Sequence, residues 1–193
     1  MRKDGLPSLR TPPASEPVTV QELKDSVHIS HAEQDSTLLG YLLAGRQEAE
    51  DYQRRSFITQ EWNIVLDAYP TGEFCLLRGP VQSVESVVVT DVDGNETTMD
   101  LSDFIVLKKS SPARMKLKDS ASWPAVTLQD IGAITISYTT GYGDATKVPA
   151  NTKQAIMIFA SFTDDNRGVE EMELPPAFYS LLDTDRLFEV TAV

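Results

Sequence analysis

The sequence predicts an α+β protein: a small helical module, its N- and C-terminal helices packed together, with an inserted antiparallel β-rich domain. Three observations point there. Apolar residues recur at helical spacing over residues 35–55 and again over 154–162. Between these segments lie about seven short runs rich in β-branched and aromatic residues, separated by turn signals. Apolar residues make up 41% of the 193 and charged residues 24%, a balance that buries a core and does not leave the chain disordered.

Residues 1–17 carry Pro7, Pro12, Pro13 and Pro17 with few large apolar groups, so a mobile N-terminal arm is expected there. Thr19-Val20-Gln21-Glu22 fits a capping box and predicts a short helix to about Val27. Ser30-His31-Ala32-Glu33 offers a second box, and Asp35 an alternative cap for a later start. The helix that follows, to about Arg55, is the clearest in the chain. Leu38, Leu42, Ala49 and Tyr52 form a stripe that Leu39 and Leu43 widen, and Glu50/Arg54 and Asp51/Arg55 are i,i+4 pairs in the favourable order. Gly45 inside it costs about 1 kcal/mol against alanine, which points to close packing of another backbone.

The pattern then becomes β. Trp62, Ile64 and Leu66 alternate with Glu61, Asn63 and Val65, and residues 74–77 are short and apolar. Arg78-Gly79-Pro80 reads as a turn before the β-branched run 84–90, and Asp93-Gly94 as a hairpin leading into 96–99. Residues 104–107, 114–117 and 134–140 complete the strands. Pro149 opens a helix with Ala155, Ile158, Phe159 and Phe162 on one side, and Asn166-Arg167-Gly168 closes it. Pro175-Pro176 starts a short final helix through Leu182, after which residues 186–190 read as extended. The expected division is therefore an arm (1–17), a helical module (18–56 and 148–183), an inserted β domain (57–147) and a C-terminal tail (184–193).

Charge narrows the function. Seventeen bases against 29 acids give −12, which argues against gripping nucleic acid, where lysine and arginine must neutralise phosphates. It leaves room for a surface past which DNA slides without sticking. Cys75, the single cysteine, cannot close an internal disulfide. The longest apolar run, 155–160, is far too short for a bilayer, and Arg2 and Lys3 precede no apolar stretch of a signal peptide. Neither a membrane partner nor a cofactor is expected.

No catalytic or metal constellation stands out. His28 and His31, with Glu33 and Asp35 nearby, fall short of four convergent zinc ligands and read as solvated loop histidines. Asp91-Val92-Asp93-Gly94-Asn95-Glu96 has its glycine too early for an EF-hand loop and reads as a polar hairpin turn. Gly141-Tyr142-Gly143 lacks the third glycine of a dinucleotide loop, since Thr146 stands there. Cys75 reads as a small core residue within a strand.

One charge feature is local. Lys108, Lys109, Arg114, Lys116 and Lys118 place five bases in eleven residues with no acid among them, and the remaining 12 bases face 29 acids, a balance of −17. The bland reading is a solvated hairpin edge guarded by lysines. The functional one is a subunit interface that meets an acidic surface of another copy. Asp164, Asp165, Glu170, Glu171, Glu173, Asp183, Asp185 and Glu189 offer such a surface late in the chain.

Several segments together resemble the head–tail connector (adaptor) proteins of tailed bacteriophages, prophages and gene transfer agents. They are Glu16-Pro17-Val18-Thr19, Tyr52-Gln53-Arg54-Arg55, Ile58-Thr59-Gln60-Glu61-Trp62, Arg78-Gly79-Pro80-Val81-Gln82-Ser83-Val84, and Tyr138-Thr139-Thr140-Gly141-Tyr142-Gly143-Asp144 with Val148-Pro149 and Lys153-Gln154-Ala155-Ile156 after it. The likeness spans about residues 16–165 and rests on order and spacing. It implies a structural, non-enzymatic subunit of a ring, typically dodecameric, assembled in the bacterial host and located in the virion neck under the portal protein. Such a ring extends the DNA channel without binding DNA specifically and receives a stopper or tail protein. Within that resemblance, the tail residues Arg186, Leu187, Phe188, Glu189 and Val190 are candidates for strand addition to the portal, against the blander reading of a frayed end. A stopper or tail-completion protein, and a small bacterial binding module, are the alternative readings.

Overall fold

A computed structural model describes residues 5–28, 32–169 and 173–187. The chain is α+β, with four α-helices and two antiparallel sheets among the described residues. It forms two compact units, one from residues 1–13 and 59–142, the other from 14–58 and 143–193.

The first unit is all β. Its strands are β1 (Pro7–Thr11), β2 (Gln60–Leu66), β3 (Phe74–Leu76), β4 (Val81–Thr90), β5 (Glu96–Thr98), β6 (Phe104–Leu107), β7 (Ala113–Leu117) and β8 (Ile134–Thr140). A five-stranded sheet has the order β1-β2-β8-β4-β5 and a three-stranded sheet the order β3-β7-β6. Alternation does what it should: Trp62, Ile64 and Leu66 of β2 are buried, as are Ile134, Ile136 and Tyr138 of β8. They share one core with Phe74, Leu76, Phe104, Ala113 and Met115 of the smaller sheet. The Tyr138 hydroxyl, deep in that core, donates to the Leu77 carbonyl at 3.0 Å. Its burial pushes the phenol far above its ordinary pKa.

The expected arm over 1–17 fails at Pro7–Thr11, which is an edge strand on β2 with Pro7 opposite Ile64 and Leu9 opposite Trp62. An edge strand tolerates proline because the missing N–H faces no partner. Gly5 precedes it at a point where a Cβ would stand 1.9 Å from the Val65 carbonyl oxygen, so only glycine fits. At the end of the same stretch, Pro17 is buried. Low apolar content misled the sequence reading, because backbone pairing, not burial, holds this strand.

The second unit is helical: α1 (Val20–Val27), α2 (Asp35–Gln53), α3 (Ala150–Asp165) and α4 (Pro176–Leu182). The Thr19/Glu22 capping box is present in both directions. The second helix starts at Asp35 behind Gln34, with no side-chain cap, and Asp35 pairs instead with the buried Lys24 of α1 at 2.9 Å. Gly45 lies against α3, but what it admits is a side chain and not a backbone. A Cβ there would come within 3.0 Å of the Phe159 ring. The buried side of α3 is Thr152, Ala155, Ile156 and Ala160; of its large residues only Ile156 is fully buried, while Ile158, Phe159 and Phe162 are half-buried. Small residues, Thr152, Ala155 and Ala160, make up the rest of that buried side. Leu39 and Leu43, expected to widen the α2 core stripe, are exposed.

Thr19→Ala is expected to destabilise α1 by about 1 kcal/mol, read as faster amide exchange in residues 20–27. The Glu22 carboxyl lies below its ordinary 4.5, chiefly because the Thr19 backbone N–H donates to it. A depressed carboxyl stabilises above its ordinary pKa, and that contribution is lost as pH falls through the folded value. The gap between wild type and Glu22→Gln should therefore close below about pH 4.5.

Candidate functional site

The five clustered bases sit on one hairpin of the β unit. Lys108 and Lys109 occupy the turn between β6 and β7, Arg114 and Lys116 lie on β7, and Lys118 follows it. In register, Arg114 stands opposite Leu107 on one side and Cys75 on the other, and Lys116 stands opposite Ile105. One face of this small sheet is therefore core, and the other interleaves exposed Ile105 and Leu107 with Arg114 and Lys116. Cys75 is half-buried on that outer face, so it is not the core residue the sequence implied.

The cluster is less purely basic in space than in sequence. Arg114 bonds the Glu73 carboxylate at 3.0 Å, and Lys116 bonds Asp119 at 2.8 Å, holding that carboxyl below its ordinary value. Lys108 donates to the Gln82 carbonyl and Lys118 to the Ser102 carbonyl, each at 2.6 Å. Lys109 is exposed at the hairpin tip. The edge-guard reading fits Lys108 and Lys109 beside the edge strand β6, but β7 is the central strand of its sheet. Arg114 and Lys116 guard no edge.

The tail begins differently from expectation. Arg186 and Leu187 are held on the C-terminal end of α2. The Arg186 guanidinium lies 4.2 Å from the Tyr52 ring centroid, and the Leu187 N–H donates to the Gln53 carbonyl at 3.1 Å. Tyr52 donates to Asp183 at 2.6 Å, which raises its phenol pKa, and Arg55 bonds the Asp185 carbonyl. Phe188, Glu189 and Val190 lie outside the described residues, as do Glu170 and Glu171.

Sequence reasoning missed one cluster. Arg46 donates from Nε to Glu16 and from Nη1 to Glu50, both at 2.7 Å, and the other oxygen of Glu50 accepts the Phe57 N–H at 2.8 Å. Burial alone would lower the guanidinium pKa, but the two carboxylates outweigh it and hold it above its ordinary value. The i,i+4 spacing of Arg46 and Glu50 was the available signal. Glu16, 30 residues away, was not legible as a partner.

Among the described residues, no group of three or more His, Cys, Asp or Glu is placed to hold a metal ion, and no helix is long and apolar enough to cross a membrane. His28 caps the end of α1 in a left-handed conformation, and His31 lies outside the described residues. The Asp91 carboxylate is occupied by its own turn, accepting from Asn95 and from the Asp93 N–H.

No family model matches the chain, and no curated protein matches it in sequence. Solved structures do match it in shape. A chain from the neck of an empty gene transfer agent particle, computed with C6 symmetry, superposes with a TM-score of 0.81 over 97% of this chain and 98% of that one, at 20% identity. The fold is that of gene transfer agent neck chains. A chain of the native gene transfer agent virion gives a TM-score of 0.80 at 20% identity, with the same coverage. One from the neck of the native particle, computed with C12 symmetry, gives 0.76 at 21% identity over 96% and 98% of the two chains. The likeness runs nearly end to end, so both units of this chain have counterparts in the gene transfer agent chains.

Proposed function

We propose that this chain is a structural neck subunit of a phage-like particle, of the head–tail connector (adaptor) kind. It forms a homo-oligomeric ring below the portal protein, joins head to stopper or tail, and extends the DNA channel. The observation that carries this reading is the nearly full-length likeness to chains from gene transfer agent necks, in structures computed with six- and twelve-fold symmetry. Ring contacts between identical copies are heterologous and close when the rotation per subunit divides a full turn.

The chain's chemistry supports the same reading. A net charge of −12 suits a lumen wall that repels the DNA backbone and lets a genome pass. The helical unit carries most of it, 17 acids against 8 bases over residues 14–58 and 143–193. The reading needs no catalytic group and no cofactor. Residues 188–190 continue a segment that is tied to α2 as far as Leu187, and they remain the proposed attachment to the portal.

The test is electron microscopy of the full chain mixed with the portal of its particle, beside a variant lacking residues 188–193. A closed ring seated on the portal is expected for the full chain, and loss of seating without loss of the ring for the variant. Rings that attach only to the tail side would assign the chain as a stopper or tail-completion protein. A monomer that never joins a portal would remove the neck reading. Equal attachment by the truncated chain would place the portal contact on another face.

A further inference from the structure

Resting on that ring reading, we infer that β1 is exchanged between copies: in the ring, β1 of each chain pairs with β2 of its neighbour and completes the neighbour's five-stranded sheet. The strand is attached in a way that any copy can reproduce. It lies at the sheet edge, paired to β2. Pro7 is half-buried and residues 8–11 are exposed, and Leu9, although opposite Trp62, is 48% exposed. Besides the backbone pairing, Ser8 Oγ donates to the Asn63 carbonyl at 3.4 Å and Thr11 Oγ1 to the Glu61 carboxylate at 2.8 Å, and Arg10 lies 3.8 Å from that carboxylate. Water competes for bonds at so exposed an edge, so this strand opens before the core does. Every copy carries the same β2 edge, and an exchanged strand regains each bond that it gives up.

The connection after β1 favours exchange. Residues 12–15 lie in neither a helix nor a strand, and the chain passes from the β unit to the helical unit between Pro13 and Ala14. The stretch is tied at both ends, by Thr11 to Glu61 and by Glu16 to the buried Arg46 at 2.7 Å. Pro12 and Pro13 fix φ at two successive positions, and Pro12 also holds Thr11 extended. A short, stiff hinge of this kind resists folding back and so invites exchange. Extended, the five steps from Thr11 to Glu16 span about 17 Å, enough to reach a copy in direct contact.

The occupant of each β2 edge is therefore a named segment of a second copy. An arm given to one neighbour and accepted from another is a head-to-tail contact, which builds rings. It also leaves no β2 edge open to unwanted strand pairing.

The test uses the full chain with Cys75→Ser, Ser8→Cys and Asn63→Cys, since residues 8 and 63 stand opposite each other in the register. A short bismaleimide joins whichever β1 and β2 are paired, and a denaturing gel reads the product. Dilute, unassembled chain is expected to give an internally linked monomer, and assembled chain, alone or on the portal, a ladder of covalent oligomers. A second measurement mixes a Ser8→Cys chain with an Asn63→Cys chain, both carrying Cys75→Ser. It should give the mixed covalent dimer only after assembly. Rings that yield internally linked monomer alone, and no mixed dimer, would overturn the exchange and leave the ring reading standing. A wild-type chain that stays monomeric at every concentration, alone and with portal, would overturn both.

Discussion

Arg46→Met is expected to destabilise the helical unit by about 3–5 kcal/mol, because it strands two carboxylates in a site built around one guanidinium. The side chains of Arg46 and Glu50 are 7% and 8% exposed and that of Glu16 16%, so water cannot take over the lost bonds. The cluster joins three segments: the stretch before α1 through Glu16, α2 itself, and the connection after it through the Phe57 N–H. Amide exchange should therefore rise in all three together. Adding Glu16→Gln and Glu50→Gln should recover much of the loss. Amides leave no buried charge, and the amide oxygen introduced by Glu50→Gln can still accept from the Phe57 N–H. Chemical unfolding that shows a deficit below about 1 kcal/mol for Arg46→Met would mean the site is solvated and the cluster contributes little.

Phe178→Ala is expected to cost about 3–5 kcal/mol and to release α4 as a unit. Phe178 is fully buried, packed 5.9 Å from the Phe159 ring and 5.2 Å from Tyr179. Seven residues are too few to stay helical alone, so α4 exists only while it is docked. Its loss should also free the segment through Leu187, because the bonds from Tyr52, Gln53 and Arg55 to residues 182–185 form only while α4 places those residues against α2. Exchange of residues 176–187 should rise to that of unfolded chain while β2 and β8 keep their protection. Wild-type protection across 176–187 would show that the polar contacts to α2 suffice. If the portal attachment starts at residue 188, the same variant should lose seating on the portal.

Local signals carried most of the fold. The Thr19/Glu22 box, the leucine spacing of α2 and the alternation of β2 report contacts within a few residues, and signals of this kind located the four helices and seven of the eight strands among the described residues. The failures have a common physical origin. Strand β1 has no apolar signature because it is held by backbone bonds to β2, some fifty residues away. Leu39 and Leu43 have core spacing but face solvent, because α3 covers only one side of α2. Gly45 was legible as a close approach, but its partner, the Phe159 ring, was not.

The candidate surfaces divide in the same way. Composition determined that the chain is acidic, and residue order that its bases cluster over residues 108–118 and that no familiar catalytic motif stands out. Strand register decided what that cluster is, by setting Arg114 and Lys116 opposite Leu107 and Ile105 and by bringing Glu73 and Asp119 to them. Tertiary structure also decided that Glu16, Arg46 and Glu50 meet, and that Arg186 and Leu187 rest on α2. Spacing along a chain encodes which side of an element a residue occupies. Which distant element covers that side depends on packing of the whole unit, and no local pattern carries it.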